Sequence, residues 1–151
     1  MDEYKDVVIA HIRETEPKIQ TNEEHSSGVA KLAESFAHDF GMGDWGKMLG
    51  LLHDKGKERN DFQNYIRMEN GIEAPPYRDK NNAWIGAKLA RALCYPMLTF
   101  PILGHHAGLC DYTRLEEYMD KEIPKEVDSD IHLALPSMEF FMKHNLFSAD
   151  R

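Results

Sequence analysis

"LLHDKGK", residues 51–57, carries an apolar run into two adjacent metal-binding side chains and then into a glycine between two lysines. Leu49, Gly50, Leu51 and Leu52 read as the buried end of a helix, and His53-Asp54 stands where that helix runs out. Neighbours on a helix point about 100° apart, because a turn holds about 3.6 residues. At a helix end both side chains can still bend toward one ion beyond the terminus. An imidazole beside a carboxylate suits a borderline divalent metal: Mn2+, Fe2+, Co2+, Ni2+ or Zn2+. Gly56 reads as the stop of the helix, turning the chain away and leaving that end open. Lys57 then returns to the same space, a cation suited to a phosphate oxygen or a developing negative charge. By itself, an HD pair more often marks a packed histidine beside a solvated aspartate, so the rest of the chain has to decide.

Outward from this stretch the sequence reads as helices. Thr21 and Glu24 have capping-box spacing. Behind them His25, Val29, Leu32, Ala33, Phe36 and Phe40 recur at steps of three and four, which predicts a helix over 21–40 with that face inward. Asp44 is the expected cap of a second helix with Trp45, Met48, Leu49 and Leu52, and Asp61 that of a third with Phe62, Tyr65 and Ile66. Residues 70–81, with Gly71, Pro75 and Pro76, read as a loop. A fourth helix is expected from Asn82, itself a good N-cap, to Cys94. A fifth runs over 99–106 with Pro101 in its first turn, and a sixth over 113–121. Residues 122–136 look irregular, and a last helix from Pro136 carries Met138, Phe141, Met142 and Leu146. No period-two strand stands out. The expectation is an all-α, single-domain bundle of about six to seven helices over 1–151.

Composition bounds the function. The 151 residues suffice for one domain with a real core, and 42% hydrophobic with 29% charged residues is ordinary for a globular protein. No apolar run approaches the roughly 20 residues of a membrane span. The acidic opening MDEYKDVVIAHI lacks the basic flank of a secretory signal. Cys94 and Cys110 form no ligand or disulfide framework, so a reducing, cytoplasmic location is expected. A net charge of −8 argues against a broadly basic nucleic-acid surface but leaves room for a local site where bound cations supply the positive charge.

Three further features bear on a metal. His25 opens the predicted inward face of the first helix, where an unpaired imidazole is costly. His105-His106 forms a second adjacent pair between Gly104 and Gly108, and Asp150 lies near the end of the last predicted helix. His11, His38, His132 and His144 read as ordinary structural or surface histidines.

In the order His25, His53-Asp54, Asp150 the chain resembles the H…HD…D pattern of the HD phosphohydrolase superfamily. The segments "IAHIRE", "IQTNEEHSSGVAKLAESFAHDFG", "LGLLHDKGKERNDFQNYI", "IGAKLA" and "ILGHHAGLCDY" together resemble the HD nuclease domain that accompanies the helicase of type I CRISPR interference. The resemblance spans nearly the whole chain, and HDKGK with FQNYI and GHHAGLCDY are its most specific parts.

The resemblance implies roles residue by residue. His25, His53, Asp54 and Asp150 would hold a first metal, and His105 and His106 would serve a second. Asp54 and Lys57 would act in catalysis, with Lys57 facing the scissile phosphate. Where the family usually has a histidine before the Gly-Ala of the fourth helix, this chain has Asn82. The second site is therefore expected to be the weaker, with one ion of the Mn, Ni, Co, Fe or Zn type, or Mg, firmly bound.

The implied activity is metal-dependent hydrolysis of phosphodiester bonds, preferentially in single-stranded DNA. The implied partners are a helicase domain or subunit and Cascade, with no membrane. The chain would be the N-terminal part of a longer helicase-nuclease or a shortened stand-alone subunit. Lys55, Lys57, Arg59, Arg78, Lys80, Lys88 and Arg91 form the candidate DNA track, with Trp84 or Tyr112 as possible stacking rings and Trp84 the better candidate for the core. The alternatives are an HD phosphohydrolase acting on nucleotides or cyclic nucleotides, against which FQNYI and HHAGLCDY speak, and a docking module with weakened catalysis, which Asn82 would allow.

Overall fold

The computed structural model describes residues 4, 6–15, 18–92 and 96–122. The order is β1 (Ile9–Ile12), β2 (Ile19–Thr21), α1 (Asn22–His38), α2 (Gly43–Leu52), a 3-10 turn over Lys55–Glu58, α3 (Asn60–Glu69), α4 (Ala83–Ala92), α5 (Pro96–Gly104) and α6 (Tyr112–Asp120). Among the described residues the protein is thus mostly helical with one small sheet, consistent with the expected HD-type helical bundle. The predicted irregular stretch 122–136 falls, apart from Glu122, outside the described residues, as does the last helix from Pro136.

Local chemistry explains where the helices begin. Thr21 Oγ1 accepts from Glu24 N and Glu24 Oε2 accepts from Thr21 N, each at 3.1 Å, so the capping box forms as expected. Asp111 caps α6 through Arg114 N at 2.8 Å. Two expected caps shift by two residues. Helix α2 starts at Gly43 with Met42 in the cap position and Asp44 inside its first turn. Helix α3 starts at Asn60 after Arg59, and Asp61 instead accepts from the main-chain N–H of Asp79 at 3.2 Å. Helix α5 starts at Pro96, so Pro101 lies in its interior rather than its first turn.

The inward face of α1 differs from the periodicity reading. Leu32, Phe36 and Phe40 are 58%, 71% and 82% exposed. The face turned to α2 is the small-residue row Ala30, Ala33 and Ala37. A side chain on Gly46 would overlap the Ala33 carbonyl, and one on Gly50 would overlap the Ala30 backbone. The two helices approach so closely that only glycine and alanine fit between them. Close backbone contact, rather than side-chain size, sets the orientation of α1.

The main core lies between α2, α4, α5 and α6, with Met48, Leu52, Ala87, Ala90, Leu98, Ile102, Leu115 and Met119 buried together. Trp84 packs beside it with Ile85 and Leu89, as expected of a core residue.

The hairpin was not legible in the sequence. Strands β1 and β2 pair antiparallel with Ile9↔Thr21, His11↔Gln20 and Ile12↔Ile19, and an irregularity falls between Ile9 and His11. That irregularity leaves Ile9 and Ala10 both buried, so β1 shows no alternation. The sheet is held from below by α3. Gln63 accepts from Ile9 N at 2.8 Å and donates to Ile9 O at 2.9 Å and Lys57 O at 2.7 Å. Arg67 donates to the carbonyls of Tyr4 and Val7 at 2.9 and 2.8 Å. Phe62 and Ile66 bury against Ile9. One face of α3 thus locks β1 and the 3-10 turn into a single frame.

Candidate metal centre

Asp54 is the hub. It follows α2 directly, is 2% exposed, and its two carboxylate oxygens face different partners. Oδ2 lies 2.9 Å from Lys57 Nζ, 3.1 Å from His25 Nε2 and 3.2 Å from His53 Nε2. Oδ1 lies 3.3 Å from His105 Nε2, 3.5 Å from Asn82 Nδ2 and 3.9 Å from His106 Nε2. Residues from α1, from the end of α2, from the segment before α4 and from the turn after α5 therefore converge on one buried carboxylate. The Asn22 amide approaches its main-chain oxygen at 3.4 Å.

Glycines make the convergence possible. A Cβ on Gly56 would overlap the carbonyl of Asn82, and one on Gly86 would stand 2.5 Å from the Leu52 oxygen. Gly56 is therefore not the helix stop expected of it. Helix α2 ends at Leu52, and Gly56 lies inside the 3-10 turn, where its missing side chain lets Asn82 approach.

The donor set fits a transition metal. His53 Nδ1 lies 2.7 Å from the Gly50 carbonyl and His105 Nδ1 2.6 Å from that of Ile102. Each carbonyl lies three residues back at a helix end. A proton on each Nδ1 turns Nε2 toward Asp54, the outer hydrogen bond that orients metal-ligating histidines, and a metal bound there would take the place of the proton that Nε2 otherwise donates to Asp54. His25 Nε2 and His53 Nε2 also face each other at 3.2 Å. A divalent cation would sit favourably among these nitrogens and the carboxylate, and imidazole with carboxylate favours Mn, Fe, Co, Ni or Zn over all-oxygen Ca2+ chemistry.

Electrostatics agree. Burial pushes the Asp54 carboxyl up, but hydrogen bonds from His105, His53 and Lys57 overcome this and hold it far below the usual carboxylate range. His11, His25 and His106 are lowered, chiefly by burial. Burial also lowers His105, but the Asp54 hydrogen bond and the Ile102 carbonyl outweigh it and raise its pKa.

The structure brings together His25, His53, Asp54, Lys57, Asn82, His105 and His106 of the expected site. Asp150 lies outside the described residues. His11 joins the site although it was read as structural. It offers a ligand atom to the same cluster as His25 and Asp54, with its ring 4.6 Å from that of His25. No spacing announces it, because its placement depends on Gln63 holding β1. Asp54, His105 and His106 form the second cluster. Asn82 stands on that side. It occupies the position before α4, and its amide nitrogen turns toward Asp54 Oδ1.

Lys57 and the basic track need correction. Lys57 does not project free toward a substrate. Its side chain is 4% exposed, and its ammonium reaches Asp54 Oδ2 and, at 3.4 Å, the Ala10 carbonyl. Lys55 pairs with Glu58 at 2.6 Å. Arg59 is buried and donates to the Asn81 carbonyl at 2.7 Å, tying down the loop before α4. Arg91 pairs with Glu116 at 3.1 Å. Arg78, Lys80 and Arg91 are exposed and Lys88 is half-buried beside the Trp84 ring, so of the track only Lys57 and Arg59 are buried.

No helix among the described residues is long and apolar enough to cross a membrane. The family model of the HD domain matches residues 22–134, and no curated protein and no solved structure matches the chain. The matched span contains every residue converging on Asp54 except His11, which the hairpin adds from outside it. A helical bundle built around this histidine–aspartate centre belongs to the HD domain family of metal-dependent phosphohydrolases.

Proposed function

We propose that the protein is a metal-dependent phosphodiesterase that cuts single-stranded DNA in type I CRISPR interference, working with a helicase domain or subunit and with Cascade. The observation that carries the hydrolytic part is the division of Asp54. One oxygen faces His25 and His53, and the other faces His105 and His106. A carboxylate so placed can serve two metal positions at once. The resemblance in HDKGKERNDFQNYI and GHHAGLCDY supports the DNA-directed part.

Divalent ions held by these donors would supply Lewis acidity and a water acidified toward neutral pH. The chain does the rest. Asp54 stays ionised and accepts from every side. His53 and His105 are fixed in one tautomer by helix-end carbonyls. Lys57 balances the Asp54 charge and holds its rotamer against β1. Water adds at phosphorus and gives up a proton, the bond to the leaving sugar oxygen breaks, and that oxygen takes up a proton to leave as a hydroxyl.

The test uses the full chain with Mn2+ on circular single-stranded DNA, beside a panel of nucleotides and cyclic nucleotides. Degradation of the circle that chelator stops and Asp54→Asn abolishes is the expected result. Turnover of the nucleotide panel with an intact circle would move the assignment to a nucleotide phosphohydrolase. Co-purification with Cascade subunits checks the partner assignment.

A further inference from the structure

A groove of about 330 Å³ opens directly from the metal centre. Lys57, His11 and His106 line its inner end. Its floor is Phe62 and Ile66, with Ile12 and Tyr65 beside them, and Glu69 and Asn70 stand at its outer end. We propose that this groove seats the unpaired base of the nucleotide whose phosphate lies at the centre, with Tyr65 as the stacking ring. This rests on the phosphodiesterase reading above and adds to it a base-binding subsite.

Size, chemistry and direction agree. At about 330 Å³ the groove is at the lower end of small-ligand sites, suited to one nucleoside rather than to a peptide or a duplex. Its floor is apolar and its outer end carries a carboxylate and an amide, matching the π-face and the hydrogen-bonding edge of a base. Lys57 Nζ is 5.7 Å from the Phe62 ring, so the floor begins next to the centre. From Phe62 to Glu69, α3 rises about 10 Å, comparable with the reach from a nucleotide's phosphate to the far edge of its base.

Tyr65 is held in place for stacking. Phe62 lies 5.8 Å from it at a tilted angle, and Tyr77 forms a T-shaped pair with it at 5.2 Å. Such a ring loses little freedom when a base arrives. Lys80, an exposed cation of the track, sits 5.0 Å from the centroid of the same ring, where a following phosphate would pass. A base can enter only when unpaired, which gives a structural reason for preferring a single strand. Stacking tolerates every base.

The experiment compares hexathymidylate with the same sugar-phosphate backbone lacking all bases. Binding and Mn2+-dependent cleavage are measured for wild type, Tyr65→Ala and Tyr65→Phe. In wild type, removal of the bases should weaken binding by about ten-fold, within the range of base–aromatic stacking. Tyr65→Ala should bind the two backbones within about two-fold of each other, and Tyr65→Phe should restore the difference. Equal binding of both backbones by wild type, or a base dependence that survives in a folded Tyr65→Ala, overturns the proposal. The centre is read separately. Base-dependent binding without cleavage of either backbone would refute the phosphodiesterase reading and leave the groove standing. Cleavage of both backbones with equal affinity would do the reverse.

Discussion

Asp54→Asn is the informative perturbation, because it separates the hub's role in folding from its role in chemistry. The substitution keeps the shape and removes the charge. Lys57 Nζ, 2.9 Å from Oδ2 and almost wholly buried, then has only neutral acceptors around it. Removing one partner of a buried ion pair costs about 3–5 kcal/mol, because the other charge is left uncompensated. For a chain of this length each kcal/mol moves the melting point by roughly 2–4 °C, so a fall of about 6–20 °C is expected. The assay is thermal unfolding followed by circular dichroism with chelator present, so that no metal contributes. The double variant Asp54→Asn/Lys57→Met should recover most of the loss, since both charges are then gone. Adding Mn2+ at about a hundred times its dissociation constant should raise wild type by a further ~2.7 kcal/mol and leave both variants nearly unmoved. If Asp54→Asn melts with wild type in chelator, Asp54 and Lys57 are not a stabilising pair and the reasoning fails.

Gly56→Ala should cost about 1–3 kcal/mol by overpacking, since its Cβ would meet the Asn82 carbonyl, and unfolding at the wild-type temperature would contradict the close approach. Asn82→His should tighten the metal on the His105 and His106 side of Asp54, seen as a second strong transition in titration calorimetry; an unchanged isotherm would show that this position does not serve a metal. Phe36→Ala should cost less than about 1 kcal/mol in urea unfolding, because Phe36 is 71% exposed. A loss of the 3–5 kcal/mol typical of a core phenylalanine would refute its exposure.

What the sequence determined by itself is local or motif-borne. The capping box at Thr21 and Glu24 starts α1 where expected, because both partners lie within one turn. The placement of His53-Asp54 at a helix end follows from the apolar run before it, and the loop at 70–81 follows from Gly71, Pro75 and Pro76. His25, His53, Asp54, His105 and His106 were legible as a set because their order resembles a known pattern. The tertiary structure decided the rest. Side-chain size on α1 suggests that Leu32, Phe36 and Phe40 face inward, yet the backbone contact with Gly46 and Gly50 turns the alanine row there. The hairpin stayed hidden because an irregularity in β1 buries two consecutive residues and erases the alternation. His11 became part of the site through Gln63, 54 residues further along the chain from the strand it holds. Lys57 and Arg59 look like surface cations in the sequence, but a buried carboxylate and a loop carbonyl claim them. No window of neighbouring residues encodes these outcomes, because each depends on where a distant backbone segment comes to rest.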